Sequence, residues 1–129
     1  MALLDGSGGT VLVVDDSDDV RMLVCMKLRL AGYDVVEARD GREAVQVAKA
    51  TRPALILMDI QMPVMDGLAA TRLLRDIREL SGMAIVAFSS FDSGGSKKRA
   101  MEAGCTDFVD KVLGVNKVAA IVRQYLGHA

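Results

Sequence analysis

The chain has 129 residues, of which 51% are hydrophobic and 26% charged, enough to bury one core and too few for two. With 16 Lys and Arg against 17 Asp and Glu, the formal net charge is -1, which excludes binding to nucleic acid or an anionic membrane through bulk charge. No apolar run approaches the length of a membrane span, and MALLDGSGGT lacks the basic start and long apolar region of a signal peptide, so the chain is expected in a reducing cytoplasm.

In chain order, residues 1–9 read as a flexible lead-in built around GSGG, and residues 10–127 as one domain. Thr10 to Val14 reads as a strand that stops at two adjacent carboxylates, Asp15 and Asp16. Ser17 is placed to cap a helix, with Val20, Leu23, Val24, Leu28 and Ala31 repeating at three and four residues until Gly32 stops it. Asp34 to Glu37 gives a second strand. Asp40 or Gly41 opens a second helix with Ala44, Val45 and Ala48 on its apolar face, ending before Pro53 because the proline ring disfavours helix at Arg52.

Ala54 to Met58 is a third strand, and Asp66 opens a third helix through Leu68, Thr71 and Leu74 to about Arg78. Met83 to Phe88 is a fourth strand. Gly94 and Gly95 in DSGGSKK delay the fourth helix to about Ser96, and Gly104 closes it. Asp107 to Asp110 is the fifth strand, followed by a helix marked by Val115, Val118, Ala119, Val122 and Leu126. Cys25, in the first helix, and Cys105, in a helix-to-strand turn, belong to no CxxC or Cys/His cluster and read as small buried or half-buried apolar residues.

Strict strand–helix alternation implies an α/β fold with a parallel sheet, since parallel neighbours need crossovers, and right-handed crossovers put helices on both faces. The near-continuous apolar strands from Val11, Ala54 and Ala84 fit burial on both sides. At the carboxyl ends of such strands, where an open parallel sheet binds ligands, stand Asp15, Asp16, Asp59, Ser89, Ser90 and Lys111. Adjacent carboxylates at the end of a buried segment raise each other's cost of ionising, and three of them with one lysine call for a further cation. Hard oxygen ligands favour Mg²⁺, which keeps several waters and takes one or two carboxylates plus phosphate oxygens.

These residues lie within VLVVDDSDDVR, LILMDIQMPVMDG, VAFSS and AGCTDFVDK, a set in register that resembles the receiver domain of two-component response regulators over about Val11 to Leu126. The resemblance implies a flavodoxin-like doubly wound sheet of five strands, order 2-1-3-4-5, with five helices. It implies that Asp59 takes a phosphoryl group from a histidine kinase or histidine phosphotransfer protein and so switches the binding of a downstream partner. Asp16, Asp59 and the backbone carbonyl of Gln61 would ligate Mg²⁺, with Asp15 acting largely through water. Lys111 and Ser89 would each meet a phosphoryl oxygen, and Phe108 would be the aromatic that turns inward when Ser89 moves. Pro63 and Gly67 read as turn residues that shape the loop without touching phosphate.

Such a domain catalyses only its own phosphorylation and dephosphorylation. The alternative is a small Mg²⁺-dependent phosphohydrolase with an aspartyl-phosphate intermediate, for which the chain offers no cap or substrate pocket. An EF-hand fails because Val20 and Met26 stand where its loop needs Gly and Glu. A dinucleotide fold fails because GSGG precedes the first strand. His128, in the tail, is assigned no role. The chain is either a stand-alone receiver or part of a longer regulator or hybrid kinase.

Receivers usually carry proline after the lysine, joined by a cis bond, but Val112 follows Lys111 here. A cis bond to a non-proline residue costs about 3 kcal/mol, so a trans bond is expected. Gln61 and Phe91 stand two residues past Asp59 and Ser89, where receivers set how fast water attacks the phosphoryl group. Phe91 cannot orient a water, so slow self-dephosphorylation is predicted. Phe91→Glu should shorten the half-life of the phosphorylated protein, as followed by intact mass; an unchanged half-life would count against that role.

Overall fold

A computed structural model describes residues 9–60, 62, 65–90 and 95–126 of the chain. Strands β1 (Thr10–Val14), β2 (Asp34–Ala38), β3 (Leu55–Met58), β4 (Ala84–Ser89) and β5 (Asp107–Asp110) form one parallel sheet. Its spatial order is β2-β1-β3-β4-β5, the flavodoxin-like arrangement expected. Val11 is in register with Val35 and Leu55, Leu55 with Ala84, and Val86 with Asp107.

Successive strand side chains point to opposite faces, so this register sorts the apolar residues into two cores. On one face Leu12, Val14, Ile56, Met58, Ile85 and Ala87 pack with Ala44 and Ala48 of α2 (Gly41–Thr51), Ala70 and Leu74 of α3 (Gly67–Arg75) and Ala100 of α4 (Ser96–Ala103). On the other Val11, Val13, Leu55, Leu57, Val86 and Phe88 pack with Val24, Cys25 and Leu28 of α1 (Asp18–Leu30) and with Val118 and Val122 of α5 (Val118–Leu126). β1, β3 and β4 are dry on both sides, which is why they read as unbroken apolar runs.

The helix starts follow local chemistry. Ser17 Oγ accepts the Val20 N–H at 3.3 Å, Asp40 Oδ1 the Glu43 N–H at 2.8 Å and Asp66 Oδ1 the Ala69 N–H at 2.9 Å, each satisfying a donor that the first turn leaves free. Gly95, at φ +90°, opens α4 with no side-chain cap, and Gly104, at φ +112°, closes it. Arg52 ends α2 in the left-handed region, φ +48°, immediately before Pro53. Cys25 and Cys105 are buried free thiols, and burial pushes the Cys25 thiol up to about 11.

Two helix boundaries differ from the sequence expectation. α3 stops at Arg75 rather than near Arg78, because Ile77 turns extended to join the apolar core and a 3-10 turn, Arg78–Leu80, follows. The Arg75 guanidinium holds this corner, donating to the carbonyls of Gly104, Ser81 and Met83 at 2.8, 2.9 and 2.6 Å. The last helix is regular only from Val118; Val115–Lys117 is a 3-10 turn, preceded by one helical turn at Lys111–Gly114.

Gly67 shows how tightly the sheet edge is seated on α3. A Cβ there would lie 2.2 Å from the Asp59 carbonyl oxygen and 2.7 Å from Ile60 Cα, so backbone would have to move. Gly67→Ala is expected to cost about 2–3 kcal/mol, the scale of overpacking in a rigid interior. Urea unfolding checks it, and a loss below about 0.5 kcal/mol, the range of a neutral surface change, would show that the β3–α3 junction yields freely.

Candidate functional site

Three strand ends and the residue after β5 converge on one point. Asp15 and Asp16 follow β1, Asp59 follows β3, Ser89 ends β4 and Lys111 follows β5. Lys111 Nζ lies 2.6 Å from Asp15 Oδ2 and 3.1 Å from Asp59 Oδ2, while Ser89 Oγ donates to Asp59 Oδ1 at 2.9 Å. Asp15 Oδ1 accepts the Ser17 N–H at 2.8 Å. The backbone holds these positions: Asp59 N–H donates to the Val14 carbonyl at 3.0 Å and Asp15 N–H to the Ala38 carbonyl at 3.2 Å. The sheet ladder thus continues into the site.

Asp15, Asp59 and Ser89 are buried, with 2%, 4% and 1% of their surface exposed, whereas Asp16 stands in solvent. Carboxylate oxygens of Asp15, Asp16 and Asp59 lie within 4.8 Å of one another. Burial pushes the Asp15 carboxyl up, outweighing its bonds to Lys111 and Ser17. Burial also works against the Lys111 charge, but the Asp15 and Asp59 carboxylates outweigh it and hold the ammonium above its usual value. One ammonium cannot neutralise three carboxylates at this spacing, so the cluster has the donor set and excess negative charge of a site for a hard divalent ion.

Asp15, Asp16, Asp59, Ser89 and Lys111 are therefore together as expected. Ser90, next to Ser89, is exposed. Phe108 is half-buried against the α2–α3–α4 core. Gln61, Phe91, Pro63, His128 and the lead-in up to residue 8 lie outside the described residues. The Lys111–Val112 bond is trans. Val112 N–H donates to Asp110 Oδ1 at 3.0 Å, a bond that proline could not make, and Lys111 reaches the carboxylates with that geometry.

Arg21 was not singled out by its sequence context. It is buried, and its guanidinium donates to the Asp15 carbonyl at 2.8 Å and to Glu37 Oε1 at 3.1 Å. The signal was present: Arg21, Val24, Cys25 and Leu28 follow the 0, 3, 4, 7 spacing of one helix face, which puts the arginine on the buried side of α1.

A doubly wound sheet with an acidic cluster, a hydroxyl and a lysine at its carboxyl edge, where such sheets bind ligands, has the donors for a hard cation and a phosphoryl group. The family model for the response regulator receiver domain matches residues 11–123, and the chain belongs to that family. It is 33% identical over 120 residues to the polar-differentiation response regulator DivK of Brucella anthropi, covering 93% of this chain and 98% of the relative. Among solved structures, the Vibrio cholerae chemotaxis protein CheY4 is similar with TM-score 0.83 and 30% identity over 90% of this chain and 97% of that one. A putative response regulator from Chloroflexus aurantiacus is similar with TM-score 0.85 and 28% identity over 93% and 98%. The chain is thus a phosphoacceptor signalling domain of a two-component system, and the phosphohydrolase alternative is not favoured. No helix among the described residues is long and apolar enough to cross a membrane.

Beside Phe108, Asp107 accepts a hydrogen bond from the Tyr125 hydroxyl and so ties the end of α5 to the start of β5. Burial, then the bond to Asp107 and its charge, push the Tyr125 phenol up to about 12 from 10.0. A phenol raised on folding contributes stability fully present below its unfolded value and lost as pH climbs through the folded one. Urea unfolding should therefore show the parent more stable than Tyr125→Phe at pH about 9, with the difference vanishing towards pH about 12. A difference independent of pH would assign it to packing alone.

Proposed function

We propose that Asp59 is the phosphoacceptor and that a phosphohistidine on a kinase or a histidine phosphotransfer protein is the donor. The observation that carries this reading is the Asp59 carboxylate itself, held by Ser89 on one oxygen and Lys111 on the other at the ligand-binding edge. An Asp59 oxygen attacks phosphorus, the P–N bond to the donor imidazole breaks as the P–O bond forms, and the imidazole leaves as the neutral ring after taking a proton. Little covalent chemistry is left for the protein, so its work is positioning and neutralising charge on the three equatorial oxygens.

Lys111 begins on Asp59 Oδ2 and Ser89 on Oδ1, and each needs only a short move to reach an oxygen of the phosphoryl group. As Ser89 follows the new anion it leaves space beside β4, and half-buried Phe108 on neighbouring β5 would turn inward to fill it. Asp16, Asp59 and the Gln61 carbonyl would hold Mg²⁺, with Asp15 acting through water. Bound there, the ion neutralises the carboxylates and the developing phosphoryl charge. Residues 10–127 are read as the domain and 1–9 as a lead-in.

A neighbouring structure pairs the histidine phosphotransfer protein Ypd1 with the receiver domain of Ssk1 from Saccharomyces cerevisiae; that receiver is similar to this chain at TM-score 0.81 and 27% identity, over 90% of this chain and 87% of that one. The same kind of donor suits this chain, with a protein rather than nucleic acid as the downstream partner and the cytoplasm as its compartment. Beyond its own phosphorylation and dephosphorylation, no turnover of added phosphate esters is expected.

Intact mass after treatment with acetyl phosphate tests the assignment. The parent should gain one phosphoryl group only with Mg²⁺ present, and Asp59→Asn and Asp16→Ala should gain none. Undiminished labelling of Asp59→Asn would overturn the choice of acceptor, and undiminished labelling of Asp16→Ala the choice of metal ligand.

A further inference from the structure

Arg21 holds the one polar atom of Asp15 that the site and the sheet do not use. Asp15 N–H is taken by the Ala38 carbonyl, Oδ1 by the Ser17 N–H and Oδ2 by Lys111. The Asp15 carbonyl accepts Arg21 Nη1 at 2.8 Å. That oxygen belongs to the peptide unit joining Asp15 to Asp16, and a peptide unit is planar, so fixing the oxygen fixes the plane and the position of Asp16 Cα. Asp16 is exposed, and its carboxylate has no side-chain partner among the described residues. Its direction is therefore inherited from that plane.

The rest of the guanidinium is anchored so that this bond has little freedom. Nη2 donates to Asp18 Oδ1 at 2.5 Å in the first turn of α1, and Nε to Glu37 Oε1 at 3.1 Å on β2. Glu37 Oε2 in turn lies 3.5 Å from Arg29 Nη2. Asp18 and Glu37 offset the arginine's charge, so what reaches the acidic cluster is mainly geometry. A cation beside a metal site is otherwise repulsive, and here Asp18 and Glu37 pair with it, Glu37 from β2, which lies on the other side of β1 from Asp59.

We propose that Arg21 is a positioning residue for divalent-cation binding: by holding the Asp15 carbonyl it sets the peptide plane from which the Asp16 carboxylate projects toward Asp59. This rests on reading Asp15, Asp16 and Asp59 as the metal site. Groups that orient metal ligands without touching the metal typically affect affinity by about 10- to 100-fold.

Mg²⁺ titration of the full chain, followed by backbone amide NMR, separates the roles. Asp16→Asn should lose binding. Arg21→Gln should bind Mg²⁺ about 10- to 100-fold more weakly than the parent. Glu37→Gln breaks an ion pair of the same cluster but leaves the Arg21–Asp15 bond, and should bind within about twofold of the parent even if its unfolding midpoint falls. If Arg21→Gln lacks a folded amide spectrum, Arg21→Met takes its place, since it keeps an apolar stem on the buried face of α1 but offers the Asp15 carbonyl no donor; about 10-fold weakening is then expected. Parent-like affinity in the folded Arg21 variant overturns the proposal, as does equal weakening in Glu37→Gln, which would assign the effect to the ion-pair cluster as a whole. If the parent does not bind Mg²⁺, or Asp16→Asn binds as the parent does, the metal-site reading itself fails and takes this inference with it.

Discussion

One ammonium between two buried carboxylates is the interaction on which the working edge depends. Lys111 reaches from the end of β5 past the end of β4 to Asp59 just after β3 and Asp15 just after β1. At about 3 Å and an effective dielectric near 20, each contact is worth about 5 kcal/mol of Coulomb attraction, and desolvating the ions offsets much of it. The net stabilisation is small, but removing the ammonium would leave two carboxylates buried and uncompensated. Four strand ends are thereby coupled through one side chain, because Ser89 on β4 also bonds to Asp59. A new anion at Asp59 must redraw this network.

The fold supplies the rigid half of that arrangement. Asp59 continues the ladder through its N–H to Val14, and the approach of Gly67 to its carbonyl oxygen leaves it no room on the α3 side. Asp15 is pinned through Ala38, Ser17, Lys111 and Arg21. The site is thus strained by charge while its backbone is held, which suits chemistry done by positioning.

The compliant half lies around α4. α1, α2 and α3 each begin with a side-chain cap, from Ser17, Asp40 and Asp66. α4 begins at Gly95 without one, and Lys97, Lys98 and Arg99 crowd its first turn with no acidic residue there. Cations at a helix N-terminus oppose the macrodipole by about 0.3–1 kcal/mol each, and a glycine in place of a side-chain cap costs about a few tenths of a kcal/mol more. This short helix packs beside β5, which carries Phe108, and so the least self-sufficient element adjoins the residues expected to move.

The alternation of apolar runs with capped, periodic segments determined the α/β class and all five strands to within a residue or two, because strand burial and helix capping act over a few neighbouring residues. The site was legible for the same reason: in a parallel sheet, the residue after each strand must lie on one edge, so Asp15, Asp16, Asp59, Ser89 and Lys111 converge by topology. Tertiary structure alone decided what depends on distant partners. α3 gave way to a 3-10 turn at Arg78 because Ile77 found a core and Arg75 found carbonyls on two other loops. Gly67 is required by a backbone 2.2 Å from its absent Cβ, and Arg21 is buried because a carbonyl six residues back and a glutamate on β2 meet its guanidinium. Local sequence encodes propensity and period, whereas close approach and the satisfaction of a buried charge exist only once remote segments are packed together.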